Sequence, residues 1–386
     1  MTSLYEAIRK LFSAPKPLSP GVYAYQTPPE VEPPYRLHLR LEPDGQGILI
    51  INAATVLHLN QSAAEFAYHT IQGKKPEQIA FDVAERYRIT PSKARDDYQE
   101  FQTRLDTLIN TPDLDPVTYL DFERQAPYTD VTAPYRLDCA LTYRLPAGEE
   151  PESAPTGRVK RELSTKEWKT ILDKAWQAGI PHVIFTGGEP TLRADLFELL
   201  AHAEKAGMVT GLLSNGLRLA DPGYLEQLLQ TGLDHLMVVL REENEQSWQA
   251  LERILAADLF TCVHLTITPE TAPQISAVLT RLASMGANAV SLSASKTVMF
   301  DEMDHARQKA AELKLDLIWD LPVPYSPLNP VTLETKPERP PSGAGRAWLY
   351  LEPDGDVLLS QGIARPLGNF LNDPWDAIWT AAQKVA

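Results

Sequence analysis

The sequence predicts an α/β protein in which a run of parallel βα units follows a winged-helix-like α+β unit and ends in a small hairpin. Three observations carry this. Six apolar runs from residue 135 onward each lead into an amphipathic stretch, the order expected of parallel βα units. Residues 35–59 read as short strands and precede three helical stretches. With 386 residues, 44% of them hydrophobic, the chain is long enough for roughly two or three cores at about 150 residues each.

In the N-terminal part, Tyr35 to Leu41 alternates, Pro43-Asp44-Gly45 is a turn, and Ile48–Ile51 and Thr55–Leu59 are apolar runs. A first helix begins after Asn60, and a second has Pro76 in its first turn. A third is entered through Thr90 as N-cap with Pro91 behind it, and Ala94, Tyr98, Phe101, Leu105 and Leu108 give it one apolar face. These elements define a unit over 21–110. Residues 1–20 supply a preceding helix, whose Leu4, Ile8, Leu11 and Phe12 fall at helical spacing as a packing stripe. Residues 111–134, with Pro112, Pro116, Pro127 and Pro134, read as a linker.

The six apolar runs are Arg136–Tyr143, His182–Phe185, Val209–Leu213, His235–Leu240, Thr261–Thr268 and Ala289–Ser293. The helix after the first has a capping box of Ser164 and Glu167, a face of Trp168, Ile171, Leu172, Ala175 and Trp176, and Gly179 as its stop. Spacing alone leaves an open sheet and a partial barrel equally available over 135–320. Residues 321–386 form a C-terminal extension. Its first part, 321–345, holds seven prolines, and a hairpin follows from Ala347–Leu351, a turn at Pro353–Asp356, and Val357–Leu359.

Charge and cysteine usage exclude several functions. The net charge is −15; residues 1–110 account for only −1 of it and the rest of the chain for −14, so neither part offers a basic surface for nucleic acid or an anionic membrane. The two cysteines, Cys139 and Cys262, lie far apart inside predicted strands. This leaves no disulfide framework and no thiolate metal site, and it favours buried, inert thiols. The histidines form no His-x-x-x-His or Glu-x-x-His pair, and Glu149, Glu150 and Glu152 read as a solvated loop, so no metal site is expected. The N-terminus is too polar for a secretory signal, and no run of eighteen apolar residues occurs, so the expected location is cytoplasmic.

The sharpest motif is Phe185-Thr186-Gly187-Gly188-Glu189-Pro190-Thr191-Leu192-Arg193, at the end of a predicted strand. Ligands in α/β folds sit at such ends. Two glycines admit close backbone approach, and Glu189 can pair with an ammonium or cap the helix that follows. A tight turn is the plain reading of a lone Gly-Gly. The longer string, together with Ser214-Asn215-Gly216 at the next strand end, favours one shared site.

On these strings the chain resembles the radical S-adenosylmethionine superfamily, specifically its peptide-maturing branch with a SPASM or twitch extension, over residues 130–380. Gly343-Ala344-Gly345-Arg346, the segment from Leu351 to Val357 and the segment from Leu367 to Trp379 are similar to the family's hairpin and closing helix. The resemblance implies a partial (β/α)6 TIM-like barrel of the radical SAM type with a SPASM/twitch-like C-terminal extension. It implies a cofactor-like pocket at Thr186, Gly187, Gly188, Glu189, Pro190, Ser214, Asn215 and Gly216, open to S-adenosylmethionine, another nucleoside or no ligand. The family also places a Cys-x-x-x-Cys-x-x-Cys loop after its first strand to hold a [4Fe–4S] cluster. In this chain the corresponding positions are Leu145, Glu149 and Glu152, and no cysteine occurs between Cys139 and Cys262. Ser342 and Ser360 stand where auxiliary-cluster thiols are expected. Carboxylates and hydroxyls are poor replacements for thiolates on iron–sulfur clusters, so no cluster is expected.

The N-terminal unit resembles the PqqD-like, or RiPP recognition element, domain over Ile48–Asn60, Ala63-Ala64-Glu65 and Gly73. The resemblance implies that a ribosomal precursor's leader adds as a strand at Thr55, Val56, Leu57, His58 and Leu59, with Arg95 and Tyr98 as side-chain contacts. The expectation is therefore a pseudoenzyme that binds a precursor peptide or a cysteine-bearing radical SAM paralogue, without catalytic residues of its own. Two other readings are a peptide-modifying enzyme that uses the Gly187–Pro190 pocket without a cluster, and a winged-helix DNA-binding regulator, which the charge disfavours.

Overall fold

A computed structural model describes residues 15–28, 30–52, 55–111, 114, 116–120, 131–295, 299–319, 321–334 and 340–385. The packing stripe expected at Leu4, Ile8, Leu11 and Phe12 lies outside them. The chain divides into two units, Met1–Thr132 and Ala133–Ala386.

In the first unit, four strands form an antiparallel meander: β1 (Gly21–Gln26), β2 (Arg36–Leu41), β3 (Gly47–Ile51) and β4 (Thr55–Leu59). Three helices follow, α1 (Gln61–Ile71), α2 (Pro76–Tyr87) and α3 (Pro91–Asn110). Their starts are those the sequence signals: the Asn60 side chain accepts from the Ala63 amide, Pro76 sits at the first helical position, and Thr90 accepts from Lys93. Leu37, Leu39, Leu49, Leu57 and Leu59 face the core with Phe66, Ile79, Val83 and Phe101 from the helices.

Sequence reading missed β1. Its pattern is Tyr23 and Tyr25 packed on the core with small or polar residues between, a weaker signal than an aliphatic alternation. The structure also corrects the expected role of Tyr98. It is 4% exposed, its ring packs on Phe66 at 5.4 Å and its hydroxyl meets Thr70 at 3.3 Å, so it belongs to the core. Within the expected linker, Pro116–Leu120 forms a short helix, α4.

The second unit is built on one ten-stranded sheet. Its strands are β5 (Arg136–Thr142), β6 (His182–Gly187), β7 (Val209–Ser214), β8 (His235–Val239), β9 (Phe260–Ile267), β10 (Ala289–Ala294), β11 (Asp316–Leu317), β12 (Trp348–Leu351), β13 (Asp356–Leu358) and β14 (Gly368–Asn369). The spatial order is β11-β10-β9-β8-β7-β6-β5-β12-β13-β14. From β5 to β11 each strand therefore pairs in parallel with its sequence neighbour. An open doubly wound sheet reverses order part-way and carries helices on both faces. Unbroken sequential order with right-handed crossovers puts the helices on one face and leaves the other to line a lumen. The observed order is that of a partial barrel, with β11 and β14 at its unjoined edges among the described residues.

The outer layer comprises α5 (Thr165–Gln177), α6 (Leu196–Ala206), α7 (Pro222–Leu229), α8 (Glu245–Leu255), α9 (Ile275–Ser284) and α10 (Phe300–Glu312), with α11 (Trp375–Val385) closing the chain. Both halves of the Ser164–Glu167 capping box are present, and Trp168, Ile171 and Leu172 are fully buried. The lumen is packed by Ile184, Leu213, Met237, Val239, Cys262 and Ala289. The register runs from Cys139 through Phe185, Leu212 and Leu236 to Thr261, so Cys139 faces away from Cys262, across the sheet. Burial pushes both thiols up, Cys262 to about 12.

The hairpin of the C-terminal extension is not free-standing. β12 pairs in parallel with β5, Trp348 opposite Arg136 and Leu351 opposite Cys139, so it extends the barrel sheet. No helix among the described residues is long and apolar enough to cross a membrane.

Gly47 is where the first unit's sheet meets its helices most closely: a Cβ there would lie 2.7 Å from Ala64 Cβ and 3.2 Å from Leu39 Cδ1. Gly47→Ala should destabilise the protein by about 1–3 kcal/mol through overpacking. In chemical denaturation the Gly47→Ala/Ala64→Gly double variant should be more stable than the sum of the two single changes predicts.

Candidate functional site at the strand ends

The end of β5 and the glycine turn after β6 are joined backbone to backbone. The Gly188 amide donates to the Thr142 carbonyl at 2.8 Å and the Glu189 amide to the Arg144 carbonyl at 2.9 Å. These contacts leave no room for side chains. Gly187 has φ +130°, and its Cβ would lie 2.1 Å from Thr142 O; a Cβ on Gly188 would lie 2.4 Å from Arg144 O. The other faces of the turn are also engaged, with the Tyr325 amide on the Gly187 carbonyl at 2.7 Å and the Thr186 hydroxyl on the Pro322 carbonyl at 2.8 Å.

Glu189 is 3% exposed. Its Oε1 accepts from the Thr191 amide at 3.0 Å, the Thr191 hydroxyl at 2.6 Å and the Ser214 hydroxyl at 2.8 Å; its Oε2 accepts from the Asn215 amide at 2.9 Å. Burial pushes its carboxyl above the ordinary value and the four donors pull it back, with burial the larger effect. The carboxylate therefore caps the 3₁₀ turn Pro190–Leu192 and ties the end of β6 to the end of β7. All eight predicted cofactor-site residues, Thr186–Pro190 and Ser214–Gly216, come together there, and Gly216 takes a left-handed φ of +73° as its amide bonds the Ser214 hydroxyl at 3.0 Å.

Several residues of this site carried no assignment from sequence. Arg193, 8% exposed, donates to the Leu141 and Leu163 carbonyls at 3.1–3.2 Å and forks onto Asp195 at 2.8 and 2.6 Å, anchoring the turn from below. Arg241, just past β8, forms an ion pair with Glu149 from the loop after β5. Its position at a barrel strand's C-terminal end was the available signal. A narrow cleft of about 280 Å3, counting its open part, is lined by Gly188, Glu189, Asn215, Glu149, Arg241 and Tyr325 among others. Of the three positions where the resemblance places cluster ligands, Leu145 packs on the buried Tyr143–Tyr325–Tyr350 cluster, Glu149 pairs with Arg241, and Glu152 is exposed on the 3₁₀ turn Pro151–Ser153. Ser342 is exposed and Ser360 is buried.

A polar network lies beside this cleft. Tyr143 donates to Glu352 at 2.9 Å, Tyr325 to Glu334, and Arg158 pairs with Glu334 and, at 3.7 Å, with Glu352. In the lumen, His264 lies between the hydroxyls of Ser291 at 3.1 Å and Ser293 at 3.0 Å, and burial lowers it to about 4, so it is neutral at pH 7. Among the described residues no three His, Cys, Asp or Glu side chains converge as a metal site.

Residues 139–271 match the Radical SAM superfamily. This radical SAM match holds the glycine turn, the Ser214–Gly216 turn and the Glu149–Arg241 pair. The chain is similar to the PqqA peptide cyclase of Granulibacter bethesdensis, 32% identical over 129 residues, which is 33% of this chain and 34% of that protein. It is also similar to the PqqA peptide cyclase of Xanthomonas oryzae pv. oryzae, 33% identical over 116 residues, 30% of this chain and 31% of that protein. The chain thus spans about a third of the length of these curated relatives. By fold it is similar to Streptococcus suis SuiB bound to its precursor peptide SuiA, with a TM-score of 0.57, 14% identity, and coverage of 88% of this chain and 86% of that one. The SuiB structure bound to S-adenosylmethionine aligns with a TM-score of 0.55 and 14% identity, covering 89% and 86%. The fold is accordingly SuiB-like: a radical SAM-type parallel sheet, an N-terminal four-stranded antiparallel unit with helices, and C-terminal hairpins.

Two outcomes follow from this geometry. Gly188→Ala should cost about 3 kcal/mol or more, because the obstructing atom is a backbone carbonyl that cannot step aside; thermal and denaturant unfolding measure it. The second concerns Glu242, which lines a separate cavity with Thr266 and Thr268 and is raised to about 7, chiefly by burial and then by Glu243. A carboxyl raised on folding contributes stability that is fully present below its unfolded value near 4.5 and is lost as pH rises through 7. Between those limits the wild type should lose stability relative to Glu242→Gln, with the gap constant above and below.

Proposed function

We propose that this chain is a radical SAM-like pseudoenzyme that recognises a ribosomal precursor peptide, or a partner maturase carrying one, without cluster chemistry of its own. The observation that carries this reading is the donor set at the mouth of the barrel. A [4Fe–4S] cluster needs soft thiolates, and the loop after β5 offers Leu145, Glu149 and Glu152, with Glu149 already committed to Arg241. The only two thiols in the chain, Cys139 and Cys262, are held inside strands on opposite faces of the sheet. These residues do not fit such a cluster, and no radical step is derived through it.

The glycine turn is the counterpart of the superfamily's cofactor contact, with Thr186, Gly187, Gly188, Glu189, Pro190, Ser214, Asn215 and Gly216 as the residues that build the site for S-adenosylmethionine. Glu189 holds the turn's shape rather than reaching outward, since its four donors all come from the protein.

Peptide recognition falls to the first unit. β4 is an edge of its sheet, so alternate amides and carbonyls of Thr55–Leu59 point away from β3, the requirement for adding a strand. Val56 and His58 flank one face of that edge, and Arg95 is exposed on α3. The names of the relatives, a PqqA peptide cyclase and a SuiB bound to SuiA, are in keeping with a precursor peptide as ligand.

Anaerobic reconstitution with iron and sulfide should produce no charge-transfer band in the visible spectrum; a stoichiometric four-iron chromophore overturns the pseudoenzyme reading. Calorimetric titration with leader peptides encoded beside the gene should give binding that Arg95→Ala weakens about threefold to tenfold, up to about 1.4 kcal/mol. Retention of no such peptide removes the recognition role.

A further inference from the structure

The cleft beside the glycine turn is bridged by the chain's own charges. Glu149 and Arg241 reach across it from the loop after β5 and from the end of β8, and their side chains are 9% and 22% exposed. They line the same narrow space as Gly188, Glu189 and Asn215. On another side stands Tyr325, 2% exposed, its amide on the Gly187 carbonyl and its ring edge-on to Tyr143 at 5.5 Å.

We infer that the Glu149–Arg241 ion pair holds this cleft closed against S-adenosylmethionine, so that the two residues decide whether an amino-acid-bearing nucleoside enters. The inference rests on reading the cleft as the counterpart of the superfamily's cofactor pocket. An α-amino acid carries one carboxylate and one ammonium, and these are the charges that Glu149 and Arg241 already supply to each other. The ligand must therefore compete with a tethered partner whose effective concentration far exceeds its own. The apparent affinity is reduced by the fraction of molecules in which the pair is open. Removing either charge releases the other and removes the competitor.

Calorimetry with S-adenosylmethionine on the full chain tests this in the wild type, Glu149→Gln and Arg241→Gln, each checked for a cooperative thermal transition. Either folded variant is sufficient. The expected result is little or no heat from the wild type and a gain in affinity of at least tenfold in the variant. Wild-type binding as tight as that of a folded variant overturns the closure and leaves the cofactor-pocket reading standing. An equal lack of binding in wild type and folded variants overturns both.

Discussion

The backbone of β5 runs within hydrogen-bonding distance of the Gly187-Gly188 turn, and the strand ends take their arrangement from that contact. With Thr142 and Arg144 carbonyls directly against these two residues, only hydrogen atoms fit where side chains would project. The turn is therefore pinned, and Glu189 is delivered to a place where Thr191, Ser214 and Asn215 can all donate to it. A buried carboxyl is expensive unless it is fully hydrogen-bonded. Its four donors offset that cost and make the side chain a brace between two neighbouring strands.

A brace of this kind needs no iron. The turn is held by amides, hydroxyls and a carboxylate belonging to the protein itself, so its geometry is independent of whether a cluster stands beside it. The glycine string and the Ser214–Gly216 turn thus take their shape from hydrogen bonds within the chain. The residues after β5 also make ion pairs. Glu149 pairs with Arg241, and Arg158 joins Glu334 and Glu352 in a network that includes the hydroxyls of Tyr143 and Tyr325. Charged groups in poorly solvated surroundings hold one another in place because separating them leaves a charge uncompensated.

The two units present different chemistry. The first ends its sheet in a short strand, β4, with one row of backbone groups turned outward, while its hydrophobic face is filled by three helices. Strand addition uses such a row without requiring any side chain to be rearranged. The second places Glu189, Asn215 and Arg241 together at the C-terminal ends of its parallel strands.

The sequence by itself determined most of the elements. Capping residues Asn60, Thr90 and Ser164, the apolar periodicity of α3 and α5, and the six runs from Arg136 to Ser293 each act locally, through a hydrogen bond or side-chain spacing within a few residues, and so are legible in one dimension. The absence of thiols from the loop after β5 is equally a property of the chain as written. Only the tertiary structure decided the partial barrel, since strand order is a choice among pairings that βα spacing leaves equal. It also joined β12 to β5, turned Glu189 inward and brought Glu149 to Arg241, 92 residues away. These are long-range contacts, whose energies depend on what the fold brings to the same point and leave no trace in the local pattern of either segment.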